Sequence, residues 1–236
     1  MAGLILGGLS PKDGLEKGEL EKWCRDLKLP VSGTKEDLIA RVIEHYDNLI
    51  ERSLDVGDER EEWFNYFEEF ASRNYSFLRA QELIEKDLEV ESKFEKATDF
   101  LFELKLGHRP LPLPGLEQPD GCLALRDGVL FWDNKSTESF CDLRKHLDQF
   151  DRYFRKSEKR AYALLVVAPD FTPESHNIAM THEVQTGNRL SLITAADLKE
   201  LAVRWSKSSK CDDPFPLEYL TSTGRFIPEV TAALFV

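Results

Sequence analysis

Asp120 and Asp133 are separated by twelve residues, and Lys135 follows the second acid after a single residue, in the words Pro119-Asp120-Gly121 and Trp132-Asp133-Asn134-Lys135. Two carboxylates and an ammonium gathered in one place suit metal-dependent cleavage of a phosphodiester. Adjacent carboxylate oxygens repel, and they are stable together mainly when a hard cation such as Mg²⁺ lies between them. Such a cation polarises the phosphate and lowers the pKa of a bound water, while a nearby ammonium stabilises the developing charge or positions the nucleophile. Mn²⁺ is the expected substitute. The bland alternative is that Asp120 ends a strand and Asp133 and Lys135 form a surface ion pair, so the elements around them must decide.

Cys122-Leu123-Ala124-Leu125 and Val129-Leu130-Phe131-Trp132 read as strands around Arg126-Asp127-Gly128, and Asp-Gly between apolar runs signals a hairpin. With Asp127-Gly128 as the loop, Arg126 pairs with Val129, Ala124 with Phe131, Cys122 with Asp133 and Asp120 with Lys135. Asp120, Asp133 and Lys135 then share one face. Upstream, Phe94, Ala97, Leu101 and Leu104 mark a helix over 91–106 that carries Glu95, a candidate third carboxylate. The proline-stiffened loop 107–115 leads back to Asp120. Downstream, Leu143, Leu147, Phe150 and Phe154 give an amphipathic helix over 138–156, which places Gln149 and Tyr153 on one face. Tyr162 to Ala168 is a near-continuous apolar run, as in a strand buried on both faces. A helix over 173–184, a strand over 190–193 and a helix over 195–205 follow. The expected fold is α/β, a mixed central sheet flanked by helices, with a right-handed crossover.

Glu95, Pro119-Asp120-Gly121, Asp133-x-Lys135 and Asp148-Gln149-Phe150-Asp151-Arg152-Tyr153 together resemble the PD-(D/E)XK nuclease superfamily, and within it the FokI-type restriction endonuclease cleavage domain. Gly107-His108-Arg109, the strand at 164–167 and Leu192-Ile193-Thr194-Ala195-Ala196-Asp197-Leu198 add to the likeness, which runs from about Glu91 to the C-terminus. The resemblance implies a restriction-endonuclease-like fold in which Asp120 and Asp133 ligate Mg²⁺, Lys135 acts at the scissile phosphate or its water, and Glu95 supports the metal. Gln149 and Tyr153 would orient the site or touch the phosphate backbone. Two departures stand out: these 236 residues contain no large sequence-recognition region, and the turn between the catalytic strands is short.

Toward the N-terminus, two short helices are expected between Ser10 and Asp47, the first with a stripe of Leu20, Trp23, Cys24 and Leu27, the second capped by Thr34 and Asp37 ahead of Leu38, Ile39, Val42 and Ile43. Leu27 to Ile39, with its Ser32-Gly33-Thr34-Lys35 core, resembles the SAP motif, a helical pair that usually binds DNA. A generic helical hairpin is the structural alternative. Lys12, Lys22, Lys28, Lys35 and Arg41 are the phosphate-contact candidates there, but interleaved acids make any binding weak and salt-dependent. The domain reading is a small all-α module at 1–48, an acidic helical connector at 49–90 and the nuclease domain at 91–236.

A net charge of −12 argues against indiscriminate coating of nucleic acid, yet Arg144, Lys145, Arg152, Arg155, Lys156, Lys159 and Arg160 cluster just after the hairpin. That asymmetry suits a basic groove on an acidic body, with Arg144, Lys145 and Arg152 as DNA contacts. The four cysteines lack metal-ligand spacing and read as reduced thiols. No apolar run reaches transmembrane length, so the expectation is a cytoplasmic protein without membrane contact. The functional expectation is a Mg²⁺-dependent DNA endonuclease of prokaryotic restriction or antiphage defence. One such site cuts one strand, so duplex cleavage calls for a homodimer or a partner subunit. The alternatives are a non-catalytic or partner-activated DNA-binding subunit of a defence complex, and an RNase on the same scaffold.

Overall fold

The computed structural model describes residues 16–55, 57–111, 113, 117–157, 159–208, 210, 211 and 213–235. The start of the N-terminal module, Lys12 included, and Pro112, Pro114 and Gly115 of the proline loop lie outside those residues. The chain divides into two compact units, 1–58 and 59–236.

In the first unit, α1 (Lys17–Asp26) and α2 (Lys35–Asp55) form the expected helical pair, with Leu20, Cys24, Leu38 and Val42 fully enclosed between them. Thr34 caps α2 reciprocally: its amide donates to Asp37 Oδ2 at 2.8 Å, and the Asp37 amide donates to Thr34 Oγ1 at 3.2 Å. Gly33 sits at φ +121°, and a Cβ there would come within 2.7 Å of the Asp37 carboxylate that closes this cap.

The second unit begins with three short helices, α3 (Glu59–Asn65), α4 (Phe67–Ala71) and α5 (Tyr75–Ala80). Here the structure draws the boundary elsewhere than the sequence did. Trp63, Phe64, Phe67, Phe70 and Leu78 are buried in the same core as the sheet, so the aromatic spacing of 59–80 makes it part of the sheet-bearing unit, and α2 runs past residue 48. The helix α6 (Glu89–Phe100) then passes into a π-helical turn at Leu101–Lys105. That wider turn breaks the 3.6-residue phase: Leu101 and Phe102 are buried, whereas Leu104, expected inside, is 55% exposed.

Five strands form one sheet in the order β1 (Gly121–Leu125), β2 (Gly128–Asn134), β3 (Ala161–Ala168), β4 (Leu190–Thr194) and β5 (Gly224–Arg225). β1 pairs antiparallel with β2; the remaining pairs are parallel. α7 (Leu147–Lys156) connects β2 to β3, α8 (Ser175–Thr186) connects β3 to β4, and α9 (Ala195–Ser206) follows β4. The amphipathic stretch 138–156 becomes helical only from Leu147, because Cys141 bridges to Phe171 and Asp142 caps a 3₁₀ turn at 143–145. The strand β5 and the short helix α10 (Pro228–Thr231) were not anticipated.

Side-chain alternation sorts β3 into two cores. Ala163, Leu165 and Val167 face α6 and α9, while Leu164, Val166 and Ala168 face α7 and α8. The same alternation along β2 puts Leu130 and Trp132 on the first side and Phe131, with Asp133 two residues on, toward the second.

The hairpin register differs from the expected one by two residues. Leu125 pairs with Gly128, Ala124 with Val129 and Cys122 with Phe131, which leaves Arg126-Asp127 as the loop. Gly128 is a packing glycine and not a turn glycine: a Cβ there would meet the Arg160 carbonyl at 2.2 Å and the Tyr162 ring at 2.8 Å. A shift of two preserves every side-chain face, so the predicted grouping of acids and lysine survives with different neighbours.

Candidate active site

Continuing the observed register beyond Gly121–Trp132 sets Asp120 opposite Asp133, at the start of β1 and the end of β2. Because β2 and β3 are parallel, this is also the C-terminal end of β3, and the Lys135 amide donates to the Val167 carbonyl at 2.7 Å. Strand ends of this kind are where open α/β sheets carry their ligand sites.

Asp133 is buried, with 1% of its surface exposed, and a bare carboxylate there would cost several kcal/mol. It is compensated by a closed ring of polar contacts. Tyr153 Oη donates to Asp133 Oδ1 at 2.9 Å, Gln149 Nε2 donates to Tyr153 Oη, Lys135 Nζ donates to Gln149 Oε1 at 3.2 Å, and the Lys135 ammonium pairs with Asp133 Oδ2. Helical spacing explains the ring: Gln149 and Tyr153 lie one turn apart on the α7 face that covers this side of β2. Phe150, between them on the helix, lies under the lysine, with its ring centroid 5.6 Å from Lys135 Nζ. Burial and the adjoining Asp133 carboxylate drive the Tyr153 phenol far above its ordinary range, so it serves as a fixed donor.

Asp120 is held differently. The Asn134 amide donates to its Oδ2 at 2.6 Å, and Asn134 Nδ2 donates to Thr98 Oγ1 at 2.9 Å on the opposite face, which fastens α6 to the end of β2. Burial and the charge of Asp133 push Asp120 up to about 8, against the pull of the Asn134 amide. Glu95, from α6, is raised as well, first by burial and then by Glu91, Asp133 and Asp99. Among the described residues no three His, Cys, Asp or Glu side chains converge into a metal cluster. The carboxylates that could hold a cation here are Asp120 and Asp133, with Glu95 close enough to raise Asp120 further.

These groups line a cavity of about 560 Å³ that contains Glu95, Asp120, Asp133, Lys135, Gln149 and Tyr153 together. Of the expected DNA contacts, Lys145 lines it. Arg144 does not: it is exposed and engaged with Asp142 at 3.0 Å. Arg152 also lies outside the lining, with its Nε buried and without a hydrogen-bond partner among the described residues. In the N-terminal unit Lys28 is exposed, Lys35 is half-buried, and Arg41 donates to the carbonyls of Pro30 and Ser32 and so braces the interhelical loop.

Among the lining residues that sequence reasoning passed over are Asn134, Arg73, Cys141 and His146. Asn134 was only the variable residue of Asp-x-Lys, although period two places it on the face opposite the acids. Arg73 and Cys141 arrive from remote or irregular segments that carry no periodicity. His146 has no ligand-like spacing to the other histidines and so carries no signal in the sequence, yet it lines the cavity and stacks on Phe150 at 5.9 Å, its pKa lowered by burial and by Lys135. The remaining histidines of this unit have structural partners: His108 Nε2 meets the Phe215 carbonyl at 2.6 Å, His182 Nε2 meets Asp151 Oδ1 at 2.9 Å, and the Arg225 amide donates to His176 Nδ1 at 3.2 Å. The four cysteines are unbridged. Among the described residues no helix is long and apolar enough to cross a membrane.

A mixed sheet covered by helices on both faces, with an acid–acid–lysine group at its strand ends, is the class of architecture these observations define. Residues 16–47 match the SAP domain family model. Among solved structures, the chain is similar to the restriction endonuclease FokI, at 15% identity and a TM-score of 0.42, covering 62% of this chain and 30% of that one. It is likewise similar to FokI bound to DNA, at 14% identity and a TM-score of 0.47, covering 61% of this chain and 29% of that one. The chain thus spans less than a third of those structures. No curated protein matches it.

Proposed function

We propose that this protein is a Mg²⁺-dependent DNA endonuclease of the PD-(D/E)XK kind, serving prokaryotic restriction or antiphage defence. The observation that carries this reading is the closeness of the Asp120 and Asp133 carboxylates in one cavity, with Lys135 held beside Asp133 by the ring through Gln149 and Tyr153. The donor set fits the metal. Burial and mutual repulsion leave Asp120 protonated near neutral pH, a deficit that a divalent cation relieves. Mg²⁺ commonly takes only one or two carboxylates and fills its remaining positions with water and phosphate oxygens. When bound, it would polarise the phosphodiester and acidify a water.

The chain's own groups supply the rest. Asp133 holds Lys135 so that its ammonium faces the phosphate, and Gln149 fixes the rotamer of that lysine. Tyr153 orients Asp133 through a phenol that stays protonated, and the Asn134 amide orients Asp120. The SAP-like unit adds affinity for the duplex backbone, and its salt dependence follows from counterion release.

The test is cleavage of supercoiled plasmid by the full chain and by Asp133→Ala, with Mg²⁺, with Mn²⁺ and with EDTA, beside a structured RNA. Nicking or linearisation that requires both the divalent ion and Asp133 is expected. A linear product whose rate rises steeply with protein concentration would point to two sites acting together. RNA as the better substrate would change the substrate class, and cleavage in EDTA would overturn the assignment of the site.

A further inference from the structure

We infer that Arg73 is a phosphate-contacting residue of the same cleft, brought to the catalytic strand by the helical segment 59–80; the inference rests on the nuclease reading above.

Arg73 lines the cavity although it lies 47 residues ahead of Asp120 in the sequence. Its position is keyed to the catalytic strand. The Thr137 amide donates to the Ala71 carbonyl at 2.9 Å, and Arg73 Nε donates to Ser136 Oγ at 3.0 Å, one residue beyond Lys135. Movement of this segment and movement of Lys135 are therefore linked through two hydrogen bonds.

The backbone at Arg73 is left-handed, with φ +51°, just after the end of α4. Glycine or asparagine is the usual occupant of such a position, and a side chain with a Cβ costs about 1 kcal/mol there. What arginine adds in return is a planar fork of five N–H donors. Among the described residues, Nε is used on Ser136 and Nη2 on Glu91, which leaves Nη1 without a partner. The guanidinium side chain is 33% exposed and Glu91 is 64% exposed, so this pair is weakly held. A phosphodiester offers the same charge as Glu91 with two oxygens spaced for the fork. Lys145 lines the same cavity, which sets a further cation beside the carboxylates for the backbone of a nucleic acid.

The experiment uses the full chain, Arg73→Gln, Arg73→Lys and Glu91→Gln, with a 30-bp duplex as the probe. KM and kcat are measured in Mg²⁺, duplex affinity in EDTA across a salt series, and melting temperature alongside. Arg73→Gln is expected to raise KM and weaken duplex affinity about tenfold, with kcat changed less than threefold. Its slope of log affinity against log salt should be shallower by about 0.9, one phosphate contact fewer. Arg73→Lys should recover part of the affinity, since it keeps the charge and loses the fork. Glu91→Gln frees the guanidinium and should tighten duplex binding about threefold. Unchanged affinity and salt slope in Arg73→Gln, with only a lowered melting temperature, would reduce Arg73 to a strut and overturn the inference. Should that variant fail to fold, Glu91→Gln decides, and affinity that does not move there overturns it equally. Absence of cleavage by the unaltered chain would remove the nuclease reading, while the salt series in EDTA still reports on Arg73.

Discussion

Replacing Asp120 with asparagine should stabilise this protein, and the gain should grow with pH. Asp120 is raised from its ordinary 3.8 to about 8, first by burial and next by the Asp133 carboxylate. The fold therefore keeps a proton that the unfolded chain has already released between about pH 4 and pH 8. Stability falls as pH rises through that window, because the native state binds more protons than the unfolded state. Each pH unit is worth about 1.36 kcal/mol, which sets a ceiling of roughly 6 kcal/mol. Asp120 is half-buried, so water screens part of this, and about 2 kcal/mol at pH 8 is the working figure. For a body of this size that corresponds to roughly 4–8 °C in melting temperature. Asparagine keeps an oxygen for the Asn134 amide, which limits the structural loss. The assay is thermal melting of both proteins in EDTA from pH 4 to pH 9, then at pH 8 with 10 mM Mg²⁺. The variant should match the unaltered chain at pH 4 and exceed it at pH 8. Mg²⁺ should raise the unaltered chain by about 1–2 kcal/mol if it binds with millimolar affinity, and leave the variant nearly unmoved. A variant that melts at or below the unaltered chain at pH 8 would refute the account of two carboxylates in electrostatic conflict.

Three further outcomes follow from named contacts. Gly128→Ala places a methyl group against the Arg160 carbonyl and the Tyr162 ring, so β2 and β3 must part; a loss of about 2–4 kcal/mol is expected by chemical denaturation, and a neutral result would contradict the close approach of β3. Tyr153→Phe removes the donor to Asp133 Oδ1 and should cut cleavage about 10–100-fold at a stability cost near 1 kcal/mol; unchanged cleavage would show that the ring does not orient the acid. Asp99 is raised to about 6 by burial, so its neutral form favours the fold and stability is lost as pH climbs from about 4 through 6. Asp99→Asn should then gain about 1 kcal/mol above pH 7 and nothing below pH 4, read from melting curves, since its partial exposure screens the rest.

Which side chains share a face was legible in the amino-acid sequence because strand direction alternates with period two, whatever the register. Asp120, Asp133 and Lys135 were grouped correctly although the hairpin register differed by two, since an even shift preserves faces and an odd one inverts them. Gln149 and Tyr153 were placed on one helical turn by the same local geometry. The boundary at 90 failed for a physical reason: Trp63, Phe64, Phe67 and Phe70 show apolar spacing, but spacing does not name the surface they cover. The register failed because Asp127-Gly128 satisfied a local turn rule, while Gly128 answers to β3, more than thirty residues downstream.

The sequence by itself determined the chemistry on offer, two acids and a lysine on one face of a hairpin with two polar residues on the next helix, because these rest on short-range periodicity. Only the tertiary structure decided that Asp120 confronts Asp133, that Lys135, Gln149, Tyr153 and Asp133 close into a ring, and that Arg73 enters from the helical segment ahead of the sheet. Those facts depend on packing between segments far apart in the chain, where van der Waals fit and burial of charge select one arrangement among many that the local pattern permits equally.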